Sequence, residues 1–189
     1  MYVFAERLAT WMARACGFTL LISVVMISAE VLCRRLLGVS LVGADELSGY
    51  VLAIIVTWGC SLAIIRRAHV RIDILHAQLP RMGQAALDLL ALLAMAAFAF
   101  FLAWFATGLF ENSWRTGAVS NSQMQIPRWI PHGLWAAGFW VFGVVTVLLI
   151  LEYLLALSNR DWDRARLVAG VRGAKEEAQT ETREAKERL

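Results

Sequence analysis

Long apolar segments alternate with short charged segments along the whole chain. Uncharged runs cover residues 15–29, 47–65, 89–110 and 133–151, and the first and last extend past single glutamates to Cys33 and Leu157. At about 1.5 Å per residue, each run with its extension crosses a hydrocarbon core of roughly 30 Å. The runs lack the two-residue alternation of a membrane β-barrel. The pattern predicts an all-α integral membrane protein with four transmembrane helices, at about residues 15–33, 47–65, 89–110 and 133–157.

The segments outside these spans predict three further parts. Residues 1–14 form a cytoplasmic or interfacial arm, lying on the membrane surface or extending the first helix. Residues 158–189 form a charged, solvated cytoplasmic tail, either irregular or partly helical. The first loop, RRLLGVSLVGADEL, is too apolar for a solvated connector and too short to span. It predicts a short interfacial segment between the first and second helices, with Asp45 as N-cap of the second.

Composition agrees with a membrane protein. The chain is 59% hydrophobic and 17% charged, with a mean hydropathy of +0.60, outside the range of soluble domains. The arm, the second loop and the tail hold fourteen of the 18 Lys and Arg residues. Because cytoplasmic segments retain positive charge, both termini are predicted to be cytoplasmic. The same bias accounts for the net charge of +3, so we expect no nucleic-acid partner, whereas boundary arginines can engage phospholipid.

The sequence gives only weak signals for a metal site or a cofactor site. If the second loop is helical, His69, Asp73 and His76 share one face, as in sites with two histidines and one carboxylate. A single loop helix rarely supplies such a geometry alone. Haem would need histidines deep between helices, but all three histidines lie in loops or at a helix mouth. We therefore predict no metal, no cofactor and no enzymatic activity.

The predicted membrane interior contains almost no charge. Glu30 and Glu152 are the charged residues within the extended spans, and both lie near span ends. A protein that moves charged solutes usually has ionisable residues or broken helices near the midplane. The pattern favours an accessory or scaffold subunit. The alternatives are a self-contained small four-helix exporter, and a membrane enzyme or haem-binding electron carrier.

A set of motifs in a fixed order gives the chain a family resemblance. Arg34 and Arg35 end the first helix, GADELSGY (43–50) opens the second and TWGCSLA (57–63) lies within it; AHVRID (68–73) and IPRWIPHGLWAAG (126–138) follow. Together they resemble the small membrane subunit of TRAP (tripartite ATP-independent periplasmic) transporters, the DctQ-type family, over nearly all of residues 15–157.

The resemblance implies two protein partners: a large DctM-type membrane subunit, and a periplasmic substrate-binding protein that delivers an organic acid for sodium-driven uptake. It implies an inner-membrane scaffold. The candidate intersubunit or interfacial residues are Arg34, Arg35, Asp45, Glu46, Arg66, Arg67, His69, Arg71 and Asp73. Small residues also recur every four positions in the second helix, at Gly49, Ala53, Thr57 and Ser61. This stripe suits close packing, either within the chain or against a partner's helix.

Overall fold

The computed structural model describes residues 2–38, 43–68, 79–122 and 124–170. Four of its helices are long and apolar enough to cross a membrane, which confirms the predicted all-α membrane fold. The described helices are α1 (Tyr2–Leu37), α2 (Ala44–Ile65), α3 (Arg81–Thr116), α4 (Trp129–Ser158) and α5 (Trp162–Ala169).

The first helix is longer than its apolar run. It begins at Tyr2, so the N-terminal arm extends α1 rather than bending away from it, and it continues through Leu37 before Gly38 takes a left-handed φ of 68°. Leu36 and Leu37 therefore belong to α1, which corrects the prediction that the interfacial segment begins at Arg34. The rest of that segment, residues 39–42, lies outside the described residues.

The helix boundaries follow local chemistry, with one correction. Gly43, at φ 90°, is the N-cap of α2, so the prediction of Asp45 as N-cap is wrong: Asp45 lies one residue inside the helix. Pro80 is the N-cap of α3, as expected of a residue that cannot donate a backbone hydrogen bond. At its other end, Gly117 closes α3 in the left-handed conformation.

The four long helices form a row rather than a closed ring. α1 packs along α2, α2 along α4, and α4 along α3, with a short contact between α1 and α4. In the most apolar stretch of each helix, the buried share is 17% in α1, 22% in α2, 28% in α3 and 39% in α4, so most of each stretch is not buried within the chain. Each broad face of the row consequently exposes apolar side chains.

Close packing at α4 depends on its glycines. A Cβ added at Gly138 would lie 2.4 Å from Thr57 Oγ1 of α2, and one added at Gly143 would lie 3.0 Å from Phe100 Cε1 of α3. The backbone of α4 can approach both neighbours only because these positions lack side chains. Two tryptophans add hydrogen bonds between helices: Trp58 Nε1 donates to Leu134 O of α4 (2.9 Å), and Trp140 Nε1 donates to Thr107 Oγ1 of α3 (3.0 Å).

The first part of the charged tail forms a helix with one buried face. Asp161 accepts a hydrogen bond from Arg164 N at the start of α5, and α5 then packs against α4 and α3. Ala165, Val168 and Ala169 belong to the same buried cluster as Leu149 of α4. The tail is thus partly helical, and the expectation that it is solvated is wrong for the buried face of α5, while residues 171–189 lie outside the described residues.

Candidate functional site

The candidate residues divide between the two ends of the row. We call the end with the α3–α4 connection the loop end, and the end with α5 the tail end. Arg34, Arg35, Asp45 and Glu46 lie at the loop end, and Arg66 and Arg67 lie at the tail end. His69, Arg71 and Asp73, together with His76, lie outside the described residues.

At the loop end, one member of the acidic pair turns inward. Both acids are in the first turn of α2, where a negative charge is favoured by the exposed backbone N–H groups. Asp45 is exposed, whereas Glu46 is half-buried and its Oε1 accepts a hydrogen bond from Tyr50. The hydroxyl groups of Ser120 and Ser122 and the guanidinium group of Arg128 add favourable electrostatic interactions with the Glu46 carboxylate. The other carboxylate oxygen, Oε2, is buried without a hydrogen-bond partner in the described part of the chain, so the attraction between Glu46 and the α3–α4 loop is electrostatic.

The α3–α4 loop itself is held by backbone hydrogen bonds. Val119 and Pro127 form an isolated antiparallel bridge, supported by Ser120 N to Ile126 O and Arg128 N to Ala118 O, each 2.9 Å. Met124 packs over Gly43 so closely that a Cβ there would lie 2.0 Å from the Met124 sulfur. Gly43 is thus required both for its positive φ and for its contact with this loop.

Arg34 and Arg35 point away from the chain's own packing. They occupy the last turn of α1, where positive charge is favoured by the helix C-terminus. Arg34 Nη1 lies 3.9 Å from Glu30 Oε1, but 58% of the Arg34 side chain is exposed, so this pair contributes little stability. Both arginines are accessible to a partner chain or to lipid phosphate groups.

At the tail end, the two neighbouring arginines have different roles. Arg66 is exposed at the C-cap of α2. Arg67 has a φ of 54°, and its Nη1 donates to Arg166 O (3.1 Å) and Gly170 O (3.4 Å) at the C-terminal end of α5. A cation is favoured near these carbonyl groups, so Arg67 ties the end of α2 to α5.

The small-residue stripe of α2 faces two environments. Thr57 and Ser61 are buried, and Thr57 contacts α4 opposite Gly138. Gly49, by contrast, is exposed and a Cβ there would meet no atom within 4 Å. One half of the stripe therefore packs within the chain, and the other half is open.

Side chains that could bind a metal ion do not lie close together in the described part of the chain. No group of three or more His, Cys, Asp or Glu side chains there is placed to hold a metal ion. His132 Nδ1 lies 2.7 Å from Ser113 Oγ, which joins the end of α3 to the start of α4. The distance between these two atoms is that of an ordinary hydrogen bond, so His132 is assigned a structural role.

A comparison with protein families identifies the chain. Residues 23–157 match the model of "Tripartite ATP-independent periplasmic transporters, DctQ component". The chain belongs to this family. It is therefore a small membrane subunit of a TRAP transporter, as the motifs predicted, and this family is one of transporter subunits rather than enzymes. None of the curated proteins compared with this DctQ-family chain matches it.

Sequence reasoning missed Asp88 and the packing around α5. Asp88 is 5% exposed and lies one residue before the predicted third span, so a scan for uncharged runs left it out. Tyr153 is 1% exposed, and its hydroxyl group donates to Ala85 O of α3 (3.1 Å). The packing of α5 could have been predicted from the spacing of Ala165, Val168 and Ala169, because residues three and four apart share one face of a helix.

Proposed function

We propose that this DctQ-type subunit is the fixed scaffold of its TRAP transporter, holding a large DctM-type subunit that takes up an organic acid with sodium. In this proposal a periplasmic binding protein delivers the acid, the complex lies in the bacterial inner membrane, and both termini are cytoplasmic. The large subunit carries the substrate and sodium sites.

The row of helices is the observation that carries this proposal. A row has no enclosed centre. Glu30 and Asp88, the acidic residues buried within the described helices, and the half-buried Glu152 lie about 9–11 Å from a helix end. Two buried hydroxyl groups deeper in the row bond to their own helix: Thr57 donates to Ala53 O and Thr146 to Phe142 O. The hydroxyl group of Ser61, also buried, has no hydrogen-bond partner among the described residues. Such an interior offers a charged solute no polar path.

The surface proposed to hold the large subunit is one face of α2, which we call the α2 face. It consists of Gly49, Leu52, Val56 and Gly59, at helical spacings of three and four. Leu52 and Val56 are more than half exposed, and neither glycine would place a Cβ within 4 Å of another atom. Small residues between apolar ones let a second transmembrane helix approach closely. Arg34, Arg35 and Asp45 are proposed as polar contacts beside this face.

Reconstitution in liposomes tests the scaffold function. We expect no sodium-dependent uptake of organic acids by this chain alone, and uptake when the large subunit, identified by affinity purification and mass spectrometry, is added with the binding protein. Uptake by the chain alone would contradict the proposal and support a self-contained exporter or carrier. A complex that transports equally well without this chain would also contradict it.

A further inference from the structure

A small cavity lies at the tail end, between the start of α3, the end of α4 and α5. Its volume is about 60 Å³, and its lining includes Arg81, Asp88, Tyr153, Trp162, Asp163 and Arg166. By the space that one water molecule needs, it holds roughly four waters, so a larger ligand would place one end in the cavity and the rest at its mouth. Nothing in the scaffold proposal uses this cavity.

The cavity carries charges of both signs. Arg81 and Arg166 supply guanidinium groups, and Asp88 and Asp163 supply carboxylates. Asp88 is only 5% exposed, and a buried carboxylate is costly unless hydrogen-bond donors or positive charge surround it. A ligand suited to this lining has a negative and a positive group a few ångströms apart.

The cavity walls are fixed by hydrogen bonds between elements. Tyr153 joins α4 to α3 through Ala85 O, and Arg166 Nη2 donates to Gln84 Oε1 of α3 (3.2 Å). Arg164 Nη2 lies 2.9 Å from Glu152 Oε1, which holds α5 to α4. Because the guanidinium group has five N–H donors, Arg166 retains donors for a ligand after its bond to Gln84.

The cavity also lies where a lipid headgroup would be. It begins at Asp88, one residue beyond the third apolar run, and Trp162 has the amphipathic ring that favours a membrane interface. α5 buries Val168 against the row and exposes the charged side chains of Asp163, Arg164 and Arg166, which suit the headgroup region. Leu90 of α3 lies two residues further into the row than Asp88, and its side chain is 61% exposed, so it offers an apolar surface to an acyl chain.

We propose that this cavity binds the headgroup of a phospholipid that bears both a phosphodiester and a primary ammonium group. Arg81 and Arg166 contact the phosphate oxygens, because guanidinium groups match phosphate geometry. Asp88 and Asp163 accept hydrogen bonds from the ammonium group, which has three donors. A quaternary ammonium headgroup lacks those donors, and a glycerol headgroup lacks the positive charge. The proposal does not depend on the scaffold function.

Native mass spectrometry of the full chain tests this proposal. The purified chain is stripped of lipid in detergent and then offered equal amounts of phosphatidylethanolamine, phosphatidylcholine and phosphatidylglycerol with matched acyl chains. We expect phosphatidylethanolamine to be retained roughly tenfold more than phosphatidylcholine, as charge-assisted hydrogen bonds imply. Arg81→Ala should lower its retention roughly tenfold. Asp163→Asn should reduce the preference over phosphatidylglycerol.

Arg66→Ala is the matched control, because Arg66 is an exposed arginine at the same end that does not line the cavity. Its lipid retention should be that of the unmodified chain. Equal retention of the three lipids, or an equal loss in Arg66→Ala, would overturn the proposal in favour of general surface attraction. Displacement of the lipid by millimolar inorganic phosphate would overturn it in favour of a soluble ligand. If Arg81→Ala does not fold, the preference in Asp163→Asn decides.

Discussion

Gly138 shows how strongly a single position controls packing between α2 and α4. A Cβ there would lie 2.4 Å from Thr57 Oγ1 and 2.5 Å from Trp58 Cδ1. Gly138→Ala should therefore lower the free energy of unfolding by about 1–3 kcal/mol, the usual cost of overpacking. Titration with a denaturing detergent, followed by tryptophan fluorescence, measures this loss.

Gly108→Ala is the control for that measurement. Gly108 is exposed on α3, and a Cβ there would meet no atom within 4 Å. Because alanine is a better helix former than glycine, this variant should be unchanged or more stable by about 0.5–1 kcal/mol. An equal loss of stability in both variants would mean that the contact between Gly138 and Thr57 does not control the packing.

Glu46 provides a second prediction at the residue scale. Its carboxylate bonds to Tyr50 and interacts with the α3–α4 loop, whereas neighbouring Asp45 is exposed. Glu46→Gln removes the charge but keeps the size, so the loop should open more often. Amide hydrogen exchange at Ser120 and Ile126 should accelerate roughly tenfold. Asp45→Asn should leave these rates unchanged, and equal acceleration in both variants would exclude a specific role for Glu46.

The residue pattern alone could not resolve the small-residue stripe. Gly49 and Thr57 lie on it at the same helical spacing, yet only Thr57 is buried against α4. Both faces of a transmembrane helix are apolar, so hydrophobicity does not indicate which face meets protein and which meets lipid or a partner. Packing within the chain is therefore observed for Thr57 and Ser61, whereas packing of Gly49 against a partner's helix stays a prediction.

Among the elements, the number and type of the membrane helices were predictable, but their lengths were not. A scan for uncharged runs ends at the first charged residue, whereas α1 continues through Arg34 and Arg35 and α3 begins at Arg81. Charged residues are good helix formers, so they mark the edge of the hydrocarbon rather than the end of the helix. The order of the helices in the row was not predictable either. Gly138 and Gly143 bring α4 close to α2 and α3, and such contacts cannot be inferred from the hydrophobic periodicity of the sequence.

The short helix α5 tests whether the tail docks on the row. Val168 is 5% exposed and Leu167, its neighbour, is 64% exposed. Val168→Ser removes a buried apolar side chain, which should release α5 and make trypsin cleavage after Arg164 and Arg166 roughly tenfold faster. Leu167→Ser is the matched control, with an unchanged rate. Similar cleavage of both variants would show that the face of α5 that contains Val168 does not hold α5 against the row.

At the scale of the whole molecule, the row leaves the α2 face uncovered. Most single domains close their helices around one core, so that each helix buries an apolar stripe. Here α2 contacts α1 on one side and α4 on the other, while Leu52 and Val56 remain more than half exposed. In a TRAP subunit this arrangement suits a partner of similar height that lies against the row.

The α2 face gives the decisive prediction at this scale. If the large subunit packs there, Gly49→Phe should fill the space that its helix needs and lower its recovery with the tagged chain at least about tenfold. Gly108→Phe on α3 is the matched control, because that glycine is equally open. Both substitutions should leave the stability of the isolated chain nearly unchanged, because both positions are exposed and an added Cβ would meet no atom within 4 Å. If the Gly49→Phe variant retains the large subunit in full and the Gly108→Phe variant loses it, the large subunit binds α3 at the edge of the row and not the α2 face.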